Sequence, residues 1–200
     1  MKTFEEMKFN IGVLVGISAD SVTEHLKLYS GYVKHANLIL TKIEEMSTDS
    51  ETNAYALGEL QRRFGFEFDG MRNHEYYFKS LEGGAQTLAK NSILYLAITE
   101  EFGSFDAWLA RFKAIALTRG IGWAMLYYDK TTGRLLNAWV DEQHLGHLTG
   151  LSPILALDVW EHAFVPDYKA SGKKAYVEDF FKNLNWSVIE ENLLEARKMC

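Results

Sequence analysis

The first part of the chain carries apolar residues at the spacing of an amphipathic helix. They recur at steps of three and four, at Val22, Leu26, Tyr29 and Val33. Ser18 and Asp20 lie just before them, where helix N-caps are common. The pattern predicts a helix over residues 20–46, with a break near its middle left open, and a second over residues 52–81, interrupted near residues 65–70. A polar run at residues 47–50 separates them, so residues 1–84 are predicted to form a long antiparallel helical hairpin.

The pattern changes in the second half of the chain. Helices are predicted over residues 87–102 and 105–118. Residues 123–128 and 135–140 are rich in β-forming side chains and flank a turn ending at Gly133, which predicts a β-hairpin. A third strand is predicted at residues 153–160 and a helix at residues 176–198. The predicted fold class is α+β: an N-terminal helical hairpin, then a C-terminal lobe over residues 85–200 with helices around a three-stranded antiparallel sheet.

Composition narrows the classes of function. The chain is 48% hydrophobic and 24% charged, which excludes a disordered protein. Its net charge of −6 argues against a general nucleic-acid-binding protein. No apolar run approaches the roughly 20 residues of a membrane span, and residues 1–10 are too charged for a signal peptide. The single cysteine, Cys200, cannot form an intrachain disulfide. We therefore expect a cytoplasmic globular protein without nucleic-acid or membrane partners.

Two segments contain residues that suit a metal ion. Asp158 and His162 directly follow the third predicted strand, and His74 lies among aromatic residues in the second predicted helix. A carboxylate and a histidine at a strand end can converge on one ion, although such a pairing is common by itself. His144 and His147 lie in a loop, where they are either spare ligands or solvated side chains.

Several motifs occur in an order that resembles one known family. The most specific is Asp-Val-Trp-Glu-His-Ala at residues 158–163, and the others are residues 30–37, 70–74, 120–123 and 185–186. Together they cover nearly the whole chain and resemble the iron/manganese superoxide dismutases. The resemblance implies that this α+β protein disproportionates superoxide to O₂ and H₂O₂ at one Mn or Fe ion per subunit.

The resemblance also implies roles for individual residues. His74, Asp158 and His162 match metal ligands. Tyr32 matches a tyrosine at the mouth of the substrate channel, and Gln143 matches a glutamine that reaches the metal-bound solvent in the manganese-type branch. Three further matches concern the surroundings of the site: Gly70, where the iron-type branch has its glutamine, and Trp123 and Trp160, which match the aromatic walls of the pocket. Glu161 matches a glutamate at the interface of a homodimer.

The first ligand departs from the family pattern. The family has a histidine eight residues before the channel tyrosine, and counting back from Tyr32 gives Glu24, with His25 beside it. Three interpretations stay open: Glu24 binds the metal; Glu24 faces solvent and a local distortion brings His25 to the metal; or the site is degraded. Glu24 is the ligand chosen here. A second carboxylate would stabilise the oxidised ion and slow its reduction by superoxide.

Two other departures come as a pair. The resemblance implies a channel histidine where Leu28 stands and a tyrosine where Val165 stands, bonded to each other across the dimer interface. Losing both replaces a polar bridge by an apolar contact, so the dimer is expected to persist. The alternatives to an active dismutase are a family member that binds metal with weak or no activity, and a non-enzymatic dimeric protein with a vestigial site.

Overall fold

The computed structural model describes residues 2–198, so Cys200 lies outside the described residues. Seven α-helices and three β-strands follow one another in that part of the chain. The helices are α1 Ala19–Met46, α2 Ala54–Lys79, α3 Ile93–Phe102, α4 Phe105–Ala116, α5 Glu161–Tyr168, α6 Lys173–Asn183 and α7 Trp186–Lys198. The strands are β1 Gly122–Asp129, β2 Arg134–Asp141 and β3 Ser152–Asp158. This architecture confirms the predicted α+β class.

The N-terminal hairpin consists of two unbroken helices. The Ser18 hydroxyl caps α1 by accepting a hydrogen bond from the Ser21 N–H, as the sequence predicts. Neither the break left open in α1 nor the predicted interruption of α2 near residues 65–70 occurs. Glycine is tolerated inside a helix when its missing side chain makes room for a neighbour. At Gly70 that neighbour is the ring of Tyr32.

The sheet has the strand order β2-β1-β3, and both pairings are antiparallel. β1 is the central strand, and its burial from Gly122 to Tyr128 agrees with a position covered on both sides. Trp123 pairs with Val140 on β2 and with Asp158 on β3. The register therefore places the end of β3 beside the start of β1, which brings Asp158 next to a buried tryptophan.

Three element boundaries differ from the prediction. α3 begins only at Ile93, because the Ser92 hydroxyl caps it by accepting from the Tyr95 N–H. The predicted C-terminal helix is divided into α6 and α7, because Leu184 between them has an extended backbone. The third strand ends at Asp158, and the unpredicted helix α5 starts at Glu161.

The two parts of the chain pack together through α2 against β3 and α1 against α5. The division into 1–84 and 85–200 stays a prediction. None of the helices in residues 2–198 is long and apolar enough to cross a membrane.

Candidate metal centre

Four side chains from four elements converge where the hairpin meets the sheet. His25 comes from α1, His74 from α2, Asp158 from the end of β3 and His162 from the first turn of α5. Each offers one ligand atom, and these atoms all lie within 4.8 Å of one another. The Nε2 atoms of His25, His162 and His74 lie 3.1, 3.2 and 3.5 Å from Asp158 Oδ2. Three imidazoles and one carboxylate are a donor set that suits iron and manganese.

Local structure aims these donors at one point. The Trp160 N–H donates to Asp158 Oδ1 at 2.8 Å, which leaves Oδ2 toward the imidazoles. The Nδ1 atom of His74 lies 2.5 Å from the Gly70 carbonyl oxygen, so Nδ1 carries the proton and Nε2 has a free lone pair. That Nε2 atom is fully buried and has no hydrogen-bond partner. Because a buried polar atom without a partner is costly, its position fits a bound cation.

Burial and charge set the protonation states of the cluster. Burial lowers the pKa of His74 to about 3 and also lowers the pKa of His25, so both imidazoles are neutral near pH 7. Burial alone would raise the pKa of Asp158. The neighbouring His162 and His25 outweigh this and hold it below its usual range. His25 and His74 thus offer neutral imidazoles and Asp158 an ionised carboxylate, the forms that bind metal.

Glu24, predicted from the sequence as a metal ligand, lies outside this cluster, and His25 occupies its place there. Its side chain is 70% exposed and its carboxylate pairs with Lys27 Nζ at 2.6 Å. His25 is 4% exposed and points into the centre instead. Successive helical residues are rotated by about 100°, so adjacent side chains cannot both face the same site. α1 is regular here, and His25 reaches the centre without the local distortion that one interpretation required.

The apolar periodicity of α1 holds a signal that could have identified His25. It lies four residues before Tyr29 and eight before Val33, on the apolar face of the predicted helix, whereas Glu24 is about 100° away from that face. The buried residues of α1 also include His25 and omit Glu24: Ser21, His25, Tyr29, Val33, Ala36 and Ile39. The chain is one residue shorter between the first histidine and the tyrosine than the family spacing implies.

Tyr32 and Gln143 lie next to the cluster and are bonded to each other. The Gln143 Nε2 atom donates to the Tyr32 hydroxyl at 2.8 Å, and its Oε1 atom accepts from Trp123 Nε1 at 2.8 Å. Gln143 is fully buried. A Cβ atom at Gly70 would lie 2.6 Å from the Tyr32 ring, so this glycine makes room for the tyrosine. Burial, helped by the charges of Asp158 and Glu67, raises the pKa of Tyr32, which therefore stays a neutral phenol near pH 7.

Comparison with known proteins shows which family the chain resembles. Residues 90–192 match the family model described as the C-terminal domain of iron/manganese superoxide dismutases. The manganese superoxide dismutase of Mycolicibacterium smegmatis is 33% identical over 199 residues, which cover 97% of this chain and 93% of that protein. The iron superoxide dismutase of Aquifex aeolicus is 34% identical over 190 residues, covering 92% and 88%. The iron superoxide dismutase of Cupriavidus metallidurans is 36% identical over 176 residues, covering 86% of each chain.

The chain belongs to the iron/manganese superoxide dismutase family. Relatives named for manganese and relatives named for iron match it at similar identity, so the comparisons do not select the metal.

In this family member, a cleft of about 350 Å³ opens beside the cluster. Tyr32, Trp160 and His162 line its inner part, and the Trp160 ring stacks on His162 with centroids 5.8 Å apart. Leu28 lies at its rim with 42% of its surface exposed. The cleft gives a small molecule access to the imidazole of His162 and the phenol of Tyr32.

The sequence left open whether the loop histidines His144 and His147 are spare ligands or solvated side chains. Both are partly buried, and neither belongs to the cluster. His147 is hydrogen-bonded to the Tyr127 hydroxyl and to the Gln143 carbonyl oxygen. His144 lies against Gly65 and the Phe66 ring. The role of His147 has no counterpart in the sequence motifs, because the spacing of residues 143 and 147 alone does not predict a contact across a loop.

Proposed function

We propose that this protein is a superoxide dismutase, which converts two superoxide anions and two protons into O₂ and H₂O₂ at one Mn or Fe ion per subunit. The observation that carries the proposal is the convergence of His25, His74, His162 and Asp158 in a chain of this family. The bound ion would supply the chemistry by accepting one electron and returning it.

The four converging residues would hold the ion. The buried imidazoles of His25 and His74 are neutral at working pH and can coordinate without first losing a proton. The free Nε2 of His74 supports its role as a ligand. With His25 in place of Glu24, the donor set carries one carboxylate charge. We therefore do not expect the slowed reduction of the metal by superoxide that a second carboxylate would cause.

Tyr32 would supply a proton at this site, and Gln143 would orient the Tyr32 hydroxyl. Because Tyr32 keeps its proton, its hydroxyl holds a donor at the inner end of the cleft. The Gln143 amide bridges Tyr32 and Trp123 and so fixes the direction of that hydroxyl. Superoxide would enter through the cleft.

We also propose a cytoplasmic homodimer with Glu161 at its interface. Glu161 is exposed at the start of α5, directly before His162, where a second subunit could reach it. Leu28 is exposed on the same side of the site and Val165 is half-buried, which supports an apolar seam in place of a polar bridge.

The experiment is expression with excess Mn or Fe, followed by metal analysis, size-exclusion chromatography with light scattering, and a dismutation assay. We expect about one ion per chain and a dismutation rate that falls when the metal is removed. Bound metal without dismutation would favour the family member with weak or no activity. A protein that takes up neither metal would favour the non-enzymatic alternative and refute the proposal.

A further inference from the structure

The loop that carries Gln143 contains a residue in an unfavourable backbone conformation. Glu142 has a φ of 51°, in the left-handed region that residues with a side chain rarely adopt. Two hydrogen bonds close the loop. The Asp141 N–H donates to the Leu145 carbonyl oxygen at 2.8 Å, and the Leu145 N–H donates to the Asp141 carbonyl oxygen at 3.1 Å.

A backbone in an unfavourable conformation persists only when surrounding contacts hold it. Two contacts from outside the turn hold Glu142 itself: its N–H donates to the Ile121 carbonyl oxygen at 3.1 Å, and Trp160 Nε1 donates to its carbonyl oxygen at 3.0 Å. The direction of the Gln143 side chain therefore depends in part on groups outside the turn.

Two side chains hold the peptide group of Gln143. Asn73 Nδ2 donates to the Gln143 carbonyl oxygen at 3.0 Å, and His147 Nε2 lies 3.1 Å from the same oxygen. Asn73 is 2% exposed, so its amide is shielded from competing water. A carbonyl oxygen has two lone pairs, and here both have a donor. The two bonds fix the peptide plane and hence the direction in which the Gln143 side chain leaves the backbone.

A tyrosine selects the form of His147 that can make this bond. A carbonyl only accepts, so the bond to Gln143 requires the tautomer of His147 with its proton on Nε2, in which Nδ1 is an acceptor. The Tyr127 hydroxyl lies 2.6 Å from that Nδ1. Tyr127 is 1% exposed and burial raises its pKa, so it keeps the proton that it donates. The arrangement is a chain of donors from Tyr127 through His147 to the backbone of Gln143.

We propose that His147 is a positioning residue for Gln143: with Asn73 it clamps the Gln143 carbonyl, so that the side-chain amide bridges Trp123 and Tyr32. The inference rests on the proposed function for the part that Gln143 plays in dismutation. The clamp itself does not depend on activity, because its contacts lie within the protein. His147 is not among the four ligand residues and does not line the cleft; besides Tyr127 and Gln143 its ring lies 3.4 Å from Asn73 Nδ2 and 4.0 Å from Asp69 Oδ2.

The test follows the Trp123 indole N–H, which donates to Gln143 Oε1. In metal-free, ¹⁵N-labelled protein its resonance is assigned with a Trp123→Phe variant, and its exchange with solvent is measured. We expect His147→Leu to shift this resonance and to speed its exchange about tenfold, since the amide that accepts it is released. His147→Gln, which keeps an N–H donor near the Nε2 position, should restore both values. His144→Leu is the matched control, because His144 makes no hydrogen bond to Gln143, and it should match the parent.

Activity of the metal-loaded protein gives a second readout. At parent metal content, His147→Leu should lower the dismutation rate about 10–100-fold, and His147→Gln should stay within a few-fold of the parent. A parent-like indole in His147→Leu would overturn the proposal, and so would equal effects of Leu and Gln, which would indicate packing alone.

Two outcomes need separate treatment: failure of His147→Leu to fold, and absence of dismutation in the parent. If His147→Leu fails to fold, Tyr127→Phe carries the test, because it keeps the imidazole and removes the bond that selects its tautomer. An unchanged indole in Tyr127→Phe would then overturn the clamp. Absence of dismutation in the metal-loaded parent would refute the proposed function, while the indole measurement would still decide the role of His147.

Discussion

Residue 25, and not residue 24, is the position on α1 where a substitution should empty the metal centre. The perturbation is a pair of neighbouring variants, His25→Ala and Glu24→Ala. They differ by one helical residue and therefore by about 100° in direction. His25 is 4% exposed with its Nε2 3.1 Å from Asp158, whereas the Glu24 side chain is 70% exposed.

The expected magnitudes follow from these environments. Glu24→Ala removes an exposed pair with Lys27, and pairs of this kind contribute about 0.3–0.5 kcal/mol. For a chain of this length that corresponds to a change in Tm of less than about 2 °C. His25→Ala removes one of four donors. Loss of a residue that merely supports a ligand costs 10–100-fold in metal affinity, so loss of the ligand should cost at least about 100-fold.

The assay is metal content per chain after expression with excess Mn or Fe, with chelator competition for the affinity. Glu24→Ala should keep the parent content, and His25→Ala should lose the metal under mild chelation. Glu24→His tests directly whether residue 24 is a metal ligand, and we expect it to match the parent in activity and midpoint potential. Metal retained by His25→Ala, or lost by Glu24→Ala, would refute the reasoning, as would a shifted potential in Glu24→His.

Three further predictions concern the packing and protonation around the site. Gly70→Ala places a Cβ 2.6 Å from the Tyr32 ring and should cost about 1–3 kcal/mol in urea unfolding; an unchanged midpoint would show that the ring moves freely. Tyr176→Phe removes the 2.8 Å hydrogen bond to the Asp158 carbonyl and should cost about 1–3 kcal/mol, which equal unfolding curves would contradict. Burial lowers the pKa of His74 to about 3, while the unfolded chain takes up this proton near pH 6.5. The unfolded state therefore binds more protons between these values, so the metal-free protein should have its full stability above about pH 6.5 and lose it as the pH falls toward 3; a Tm that is flat across that window would refute this.

The fold was predictable because its elements carry strong periodic patterns. The apolar spacing of α1 and the β-rich runs around Gly133 identified the hairpin and the sheet. The errors occur where tertiary contacts override local signals. The glycines at 65 and 70 indicate a helix break in isolation, but α2 continues through them, and at Gly70 the gap is filled by Tyr32.

The end of β3 was harder to predict from the sequence. Residues 153–160 are apolar enough to be a strand throughout, yet pairing with β1 stops at Asp158. The Trp160 N–H turns back to the Asp158 carboxylate, and α5 begins at the next residue. This turn is what carries His162 back toward Asp158. A motif can identify the two residues, but the chain reversal between them depends on contacts made by the folded protein.

Burial on α1 supports His25 over Glu24 as the proposed first ligand, whereas counting positions from a family pattern selects Glu24. Counting eight residues back from Tyr32 selects Glu24, and that count assumes that the chain has the family's spacing in α1. Burial makes no such assumption: a residue on the face shared by Tyr29 and Val33 must point into the protein interior, and His25 is on that face. A charged Glu24 on the same face would have to be desolvated, whereas at its own position it is solvated and paired with Lys27. With His25 as the proposed ligand, the site has a neutral imidazole at this position and a single carboxylate, and the slowed reduction expected from a second carboxylate does not arise.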